Sequence, residues 1–104
     1  MPCTSFQILA AYEEKGIESG TDGILGLSPN REQQNQNFHL LWKLKQQNII
    51  PNAMISFSIT SLEQNIQPYA VFGGYNTAQI VGGFGGLHFE KVKPNHLNTW
   101  ALEG

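Results

Sequence analysis

Apolar residues recur along this chain with two spacings, one typical of a helix and the other typical of strands. Between residues 38 and 50 they repeat every three or four positions, which predicts one amphipathic helix. Its apolar face is built from Phe38, Leu41, Trp42 and Ile49. Asn37 is placed to cap the start of this helix, and Pro51 is placed to end it.

Alternation of apolar and polar residues predicts several short strands around the helix. The alternation is clearest in residues 53–60, where Ile55, Phe57 and Ile59 alternate with residues that carry hydroxyl side chains. Further strands are predicted within residues 5–12, 69–72, 75–83, 87–89 and 99–102. One helix among about six or seven short strands makes the chain mostly β.

Glycines punctuate two other segments. Gly23 and Gly26 bracket Ile24-Leu25, which predicts a short buried segment with close backbone approach or positive φ. The glycine cluster at residues 82–86 is not a phosphate loop, because no Lys-Ser/Thr pair follows and no helix is predicted to start there. Residues 28–37 read as a polar loop.

Composition narrows the class of protein. A chain of 104 residues allows one small domain. Its hydrophobic share of 40% is that of a globular chain, whereas its charged share of 13% is low and fits a segment covered by a larger protein. A net charge of -2 argues against a nucleic-acid partner, and the apolar runs are too short for a membrane span.

Few residues could carry catalysis or bind metal. Cys3 is the single cysteine, so it is either a free thiol or paired outside this chain. Cys3 with His39, His88 or His96 could form a nucleophile and base, although nothing in the sequence orients them. The histidine spacing matches no metal pattern, and we expect neither a metal nor a cofactor.

The order of the motifs resembles that of the pepsin-like aspartic proteases. Asp-Gly-Ile-Leu-Gly-Leu at residues 22–27 precedes the predicted helix and the strand Ile-Ser-Phe-Ser-Ile at residues 55–59. Val-Phe-Gly-Gly-Tyr-Asn at residues 71–76, Leu-His-Phe at residues 87–89 and Asn-Thr-Trp-Ala-Leu at residues 98–102 follow in the family's order. The similarity runs from about Phe6 to Gly104. It departs at Asn76, where the family often has Asp, and at Thr99, where many members carry Tyr.

The resemblance implies an incomplete peptidase domain over residues 1–104. It corresponds to a partial pepsin-like acid protease fold, made of the back half of the N-terminal lobe plus the first strands of the C-terminal lobe. The family's two catalytic Asp-Thr-Gly turns would then lie before Met1 and after Gly104. Asp22 is the single aspartate, so no catalytic residue is expected in this chain. We expect Asp22 to be a structural carboxylate that accepts hydrogen bonds from nearby backbone N–H groups.

The resemblance also implies substrate contacts and partners. Ile24 is the first candidate for substrate binding, with a purely core role as the equal alternative, and Thr99 is the second. The implied partners are a peptide or protein substrate, in the complete enzyme, and the remainder of the peptidase domain. Complete relatives are typically secreted or lysosomal/vacuolar, and the sequence leaves the compartment open. The alternative function is a non-catalytic β-rich interaction module.

Overall fold

The computed structural model describes residues 3–29, 38–61, 63, 65–93 and 99–103. Their regular structure consists of helix α1 (Leu40–Gln46) and strands β1 (Ile55–Ser58) and β2 (Tyr69–Phe72). Short 3-10 helices follow at Thr77–Gln79 and Gly83–Gly86. The Cα radius of gyration is 16.5 Å, larger than the roughly 13 Å typical of a compact domain of this length. No helix in the described ranges is long and apolar enough to cross a membrane.

Helix α1 is shorter than the predicted helix of residues 38–50 because the backbone closes a Schellman motif. Asn48 adopts a left-handed conformation with φ 58°. Its N–H donates to the carbonyl of Lys45 at 3.0 Å, and the N–H of Ile49 donates to the carbonyl of Leu44 at 2.9 Å. The helix therefore ends before Pro51 is reached, and the predicted stop at Pro51 is wrong.

The start and the apolar face of α1 also differ from the prediction. His39 occupies the N-cap position without a side-chain capping bond, while the predicted cap, Asn37, lies outside the described residues. Leu41 is buried at 3% exposure, whereas Phe38 is 52% exposed and Trp42 is 36% exposed. The helix therefore buries a narrower stripe than its periodicity indicates.

Strands β1 and β2 form an antiparallel pair in which Ile55 lies opposite Phe72 and Ser58 lies opposite Tyr69. Strand β2 has the predicted bounds, and β1 is the central part of the predicted strand at residues 53–60. Because side chains alternate across a strand, one face of the pair is apolar and the other carries the serines. The apolar face consists of Ile55, Phe57, Ala70 and Phe72.

The apolar face of the pair is largely open to solvent. Phe57 is 61% exposed and Phe72 is 42% exposed. The serine face is half-buried instead, and the hydroxyl of Ser56 donates to the carbonyl of Gly74 at 2.8 Å. The alternation thus predicts the strand correctly, although the face it predicts to be buried is the more exposed one.

One of the two buried apolar residues of the described chain, Ile50, lies where the exit from α1 meets the end of the strand pair. Leu41 and Ile50 are the buried apolar residues among those described. Gly73 has φ +90°, and a Cβ there would come within 2.8 Å of the Ile50 Cβ. Its N–H donates to the carbonyl of Met54 at 2.8 Å, which extends the pairing beyond β1. Only glycine supplies both this conformation and this close approach.

Four predicted strands are not strands in the described residues. Residues 75–83 contain a 3-10 helix capped by Asn76, whose Oδ1 accepts from the N–H of Ala78. Residues 87–89 and 99–102 are irregular, and the N–H of Lys93 donates to the carbonyl of Ala101 at 2.7 Å beside them. A strand requires a partner backbone along its length, and alternation alone does not supply one. The described chain is consequently less β-rich than predicted.

The segment at residues 5–12 is likewise irregular. The side-chain amide of Gln47 accepts a hydrogen bond from the N–H of Ser5 at 3.4 Å and donates to its carbonyl at 3.1 Å. The Gln47 side chain thus bonds to the backbone groups of Ser5 that a neighbouring strand would otherwise pair with.

The cluster at residues 82–86 does begin a 3-10 helix, so the prediction of no helix there is wrong. A Cβ at Gly86 would lie 1.9 Å from the carbonyl oxygen of Val81, which requires glycine at this position.

Candidate functional site

Ile24, the first predicted substrate contact, lies in an open segment. Its side chain is 78% exposed and that of Leu25 is 52% exposed. A Cβ at Gly23 or Gly26 would meet no atom within 4 Å, and neither glycine has positive φ. The predicted burial and close backbone approach are therefore wrong, and Ile24 is not a core residue of the described chain. Its contact with substrate stays a prediction.

Thr99, the second predicted contact, is exposed and lies next to an indole that reaches the Ile24 segment. The Nε1–H of Trp100 donates to the carbonyl of Leu27 at 2.8 Å, across 73 residues of sequence. The Trp100 side chain is 65% exposed, so Trp100 is not a core residue of the described chain. The hydrogen bond nevertheless brings together the two segments that carry the predicted contacts.

The carbonyl of the next residue, Ser28, accepts a hydrogen bond from a different side chain. Nε2 of His39 lies 3.0 Å from the carbonyl oxygen of Ser28. Because a carbonyl can only accept, Nε2 must carry the proton of this bond. Nδ1 of His39 is buried and has no hydrogen-bond partner in the described part of the chain. Two successive carbonyls, those of Leu27 and Ser28, are therefore anchored by nitrogen donors that lie 73 and 11 residues away in the sequence.

The sequence does not predict either of these two hydrogen bonds. The helical periodicity places His39 on the outer face of α1, and Trp100 reads as a packing residue of a strand. Indole and imidazole N–H groups are strong donors that need partners. Their spacing in the sequence does not indicate which carbonyl each of them will meet.

The single aspartate, Asp22, is exposed. Its role as a structural carboxylate that accepts backbone hydrogen bonds stays a prediction. The described His, Cys, Asp and Glu residues form no group of three that could hold a metal ion.

The structure also does not assemble the cysteine–histidine alternative within the described ranges. Cys3 is an exposed free thiol. His39 is engaged with Ser28, and His88 contacts Glu90 at 2.5 Å. His96 lies outside the described residues. The described histidines are therefore bonded to groups other than the thiol.

Comparison with known protein families identifies the class of this chain. The family described as eukaryotic aspartyl protease matches residues 2–103. This match spans nearly the whole sequence, so the chain belongs to the eukaryotic aspartyl protease family, and the pepsin-like resemblance is confirmed. No curated protein and no solved structure matches the chain.

Proposed function

We propose that this chain is a segment of a pepsin-like aspartic endopeptidase that lies between the two catalytic aspartate turns and contributes substrate contacts. One observation carries the proposal: the family match extends over residues 2–103, yet the sequence has a single aspartate. Asp22 stands in Asp-Gly-Ile and not in Asp-Thr-Gly. By the resemblance, the segment is the back half of the N-terminal lobe plus the first strands of the C-terminal lobe.

The chemistry of the family explains why such a segment is inactive alone. Two neighbouring carboxylates share one proton, because like charges at that distance cannot both ionise. One carboxylate then acts as base toward water while the other acts as acid. Asp22 has no second aspartate in this sequence, and none of the seven glutamates stands in a Glu-Thr-Gly turn. The complete enzyme would hydrolyse peptide bonds at acidic pH without a cofactor, in a secreted, lysosomal or vacuolar compartment.

The described surface supports a role in substrate contact. Ile24 and Thr99 are both exposed, and the Trp100–Leu27 hydrogen bond joins their segments. An apolar side chain and a hydroxyl on two joined segments suit a peptide that presents an apolar side chain and backbone amides.

The described surface also supports a partner in the remainder of the peptidase domain. Phe57 and Phe72 on the strand pair are 61% and 42% exposed, and Ile59 just after β1 is 86% exposed. Large apolar side chains that crowd one face are usually covered in a finished protein. The remainder of the peptidase domain would cover this face in the complete enzyme.

A cleavage assay tests the inactivity of the isolated chain. The purified chain is incubated with a denatured protein at low pH, with and without pepstatin, and D22N is the matched control. We expect no pepstatin-sensitive cleavage by either protein. Turnover that D22N abolishes would show that Asp22 is catalytic and would refute the proposal.

A crosslinking assay tests the substrate contact. A photoreactive apolar peptide is irradiated with the chain, and the labelled residues are mapped by mass spectrometry. We expect labelling around residues 24 and 99 that I24S reduces. V81S is the control, because Val81 is also an exposed apolar residue, at 96% exposure, in a different segment. Equal losses in I24S and V81S would mean that the peptide binds nonspecifically.

The open apolar face of the strand pair favours a second candidate, a non-catalytic β-rich interaction module. Such a module must be stable by itself, whereas a segment of a larger domain need not be. Thermal unfolding followed by circular dichroism, together with sedimentation, separates the two. A cooperative transition of a monomer supports the module, and broad unfolding with self-association supports the peptidase segment.

A further inference from the structure

We infer that Trp100 is a positioning residue for the Ile24–Leu27 segment, because its indole N–H holds the Leu27 carbonyl. The orientation of Ile24 toward a bound peptide then depends on a residue 73 positions from that carbonyl in the sequence. The link to peptide binding rests on the proposed function, whereas the anchoring of the segment does not.

Packing does not place the Trp100 ring. Its side chain is 65% exposed, whereas an indole fixed by packing buries most of its large surface. The directional contact of the ring is the hydrogen bond that its Nε1–H donates to the Leu27 carbonyl, at 2.8 Å. The position of Leu27 relative to Trp100 therefore depends on this one hydrogen bond.

The Ile24 segment requires such an anchor. It starts at Gly23 and includes Gly26, and neither glycine has an atom within 4 Å of where a Cβ would stand. Glycines without neighbours leave the backbone many conformations. The bonds at Leu27 and Ser28 come directly after this permissive stretch and fix its downstream end.

The two anchors differ in what they connect. His39 ties Ser28 to the start of α1, which belongs to the region with the buried core. Trp100 ties Leu27 to the segment that carries Thr99, the other predicted contact. Trp100 is thus the residue that couples the two predicted contact segments to each other.

Backbone 15N NMR relaxation of the full chain tests the anchor. W100F keeps an aromatic ring and removes the donor, and W42F is the matched control at the other tryptophan. With W100F, we expect the order parameters of residues 24–28 to fall from the ordered range, about 0.85, to below about 0.6. The order parameters of β1 and β2, which report on folding, should stay the same. Unchanged order parameters at residues 24–28 with W100F, or an equal fall with W42F, would overturn the inference.

Histidine variants separate the two anchors. H39A removes the donor to Ser28 and H39Q places an amide N–H near the position of Nε2, so H39A should lower the order parameter of Ser28 and H39Q should not. If H39A lowers the order parameters of residues 24–27 as much as W100F does, and W100F lowers them no further in the H39A background, Trp100 has no positioning role of its own and the inference fails.

A double-mutant cycle on peptide affinity tests positioning against general stability. W100F should weaken binding of the apolar peptide about three- to tenfold when Ile24 is present, and should add nothing in the I24S background. Full additivity of the two losses would show independent effects and overturn the inference. If I24S alone leaves affinity unchanged, the proposed substrate contact fails, and the relaxation experiment still decides whether Trp100 anchors the segment.

Discussion

Two regions of this molecule are held together in different ways. The helix and strand pair, residues 40–74, close their backbone hydrogen bonds over short stretches of sequence and bury Leu41 and Ile50. The contact segments, residues 21–29 and 99–103, contain neither helix nor strand, and one side-chain donor, the indole of Trp100, joins them across 73 residues of sequence. The comparison shows that hydrogen bonds between residues close in sequence form the helix and strand pair. The exposed contact segments are instead placed by a few side-chain hydrogen bonds.

The largest effect is expected in the ordered region, at Gly73. G73A combines a positive φ with a Cβ 2.8 Å from the Ile50 Cβ, so it should destabilise the strand pair by about 2–4 kcal/mol. Exchange of the β1 and β2 amides measures the loss. G74A is the control, since no atom lies within 4 Å of a Cβ there and its φ is not positive. Similar stability of G73A and G74A would contradict the described core.

Removal of the most buried side chain should have the next largest effect. L41A deletes a side chain that is 3% exposed and should cost about 2–3 kcal/mol, near the low end for such changes because the core is small. Exchange of the hydrogen-bonded α1 amides measures the loss locally. L102A, at a leucine that is 59% exposed, should change stability by less than about 0.5 kcal/mol. A larger loss in L102A than in L41A would reverse the comparison.

A smaller effect is expected at the end of α1. N48A forces alanine into the left-handed conformation of Asn48 and should cost about 1–2 kcal/mol. N48G should restore the stability, because glycine suits the Schellman motif. Helix content from far-ultraviolet circular dichroism follows both variants. N52A, outside any positive-φ position, is the control; equal losses in N48A and N52A would argue against the motif.

The smallest effect on stability should come from the contact segments. Ile24 is 78% exposed, so I24S should leave the free energy of unfolding within about 0.5 kcal/mol of the parent. The same variant should lose peptide crosslinking. This separation of stability from binding sharpens the comparison, and a stability loss above about 2 kcal/mol would mean that Ile24 belongs to a core.

The sequence predicts the ordered region well because its signals are local. Strand β2 follows from Tyr69-Ala70-Val71-Phe72, and β1 follows from the alternation around Phe57. The helix is predicted too long because Asn48, which is an ordinary polar residue in the pattern, takes a left-handed turn. Periodicity reports which residues can share a face, and it does not report where the backbone turns.

The contact segments were predicted less well because their placement depends on distant residues. The resemblance singles out Ile24 and Thr99, yet predicts burial around Ile24, which is exposed. The donors His39 and Trp100 carry no sequence signal for their partners. The strands predicted at residues 5–12, 75–83, 87–89 and 99–102 fail because alternation cannot specify a neighbouring backbone.

The sequence by itself determined the family, the single aspartate, the helix at its centre and the strand pair. These depend on the order and identity of residues close together in the chain. The tertiary structure alone decided that the serine face of the strand pair is the more buried one and that Leu27 is held by Trp100. Burial and long-range hydrogen bonds depend on which surfaces contact each other in the folded chain. The local spacing of residues in the sequence does not specify those contacts.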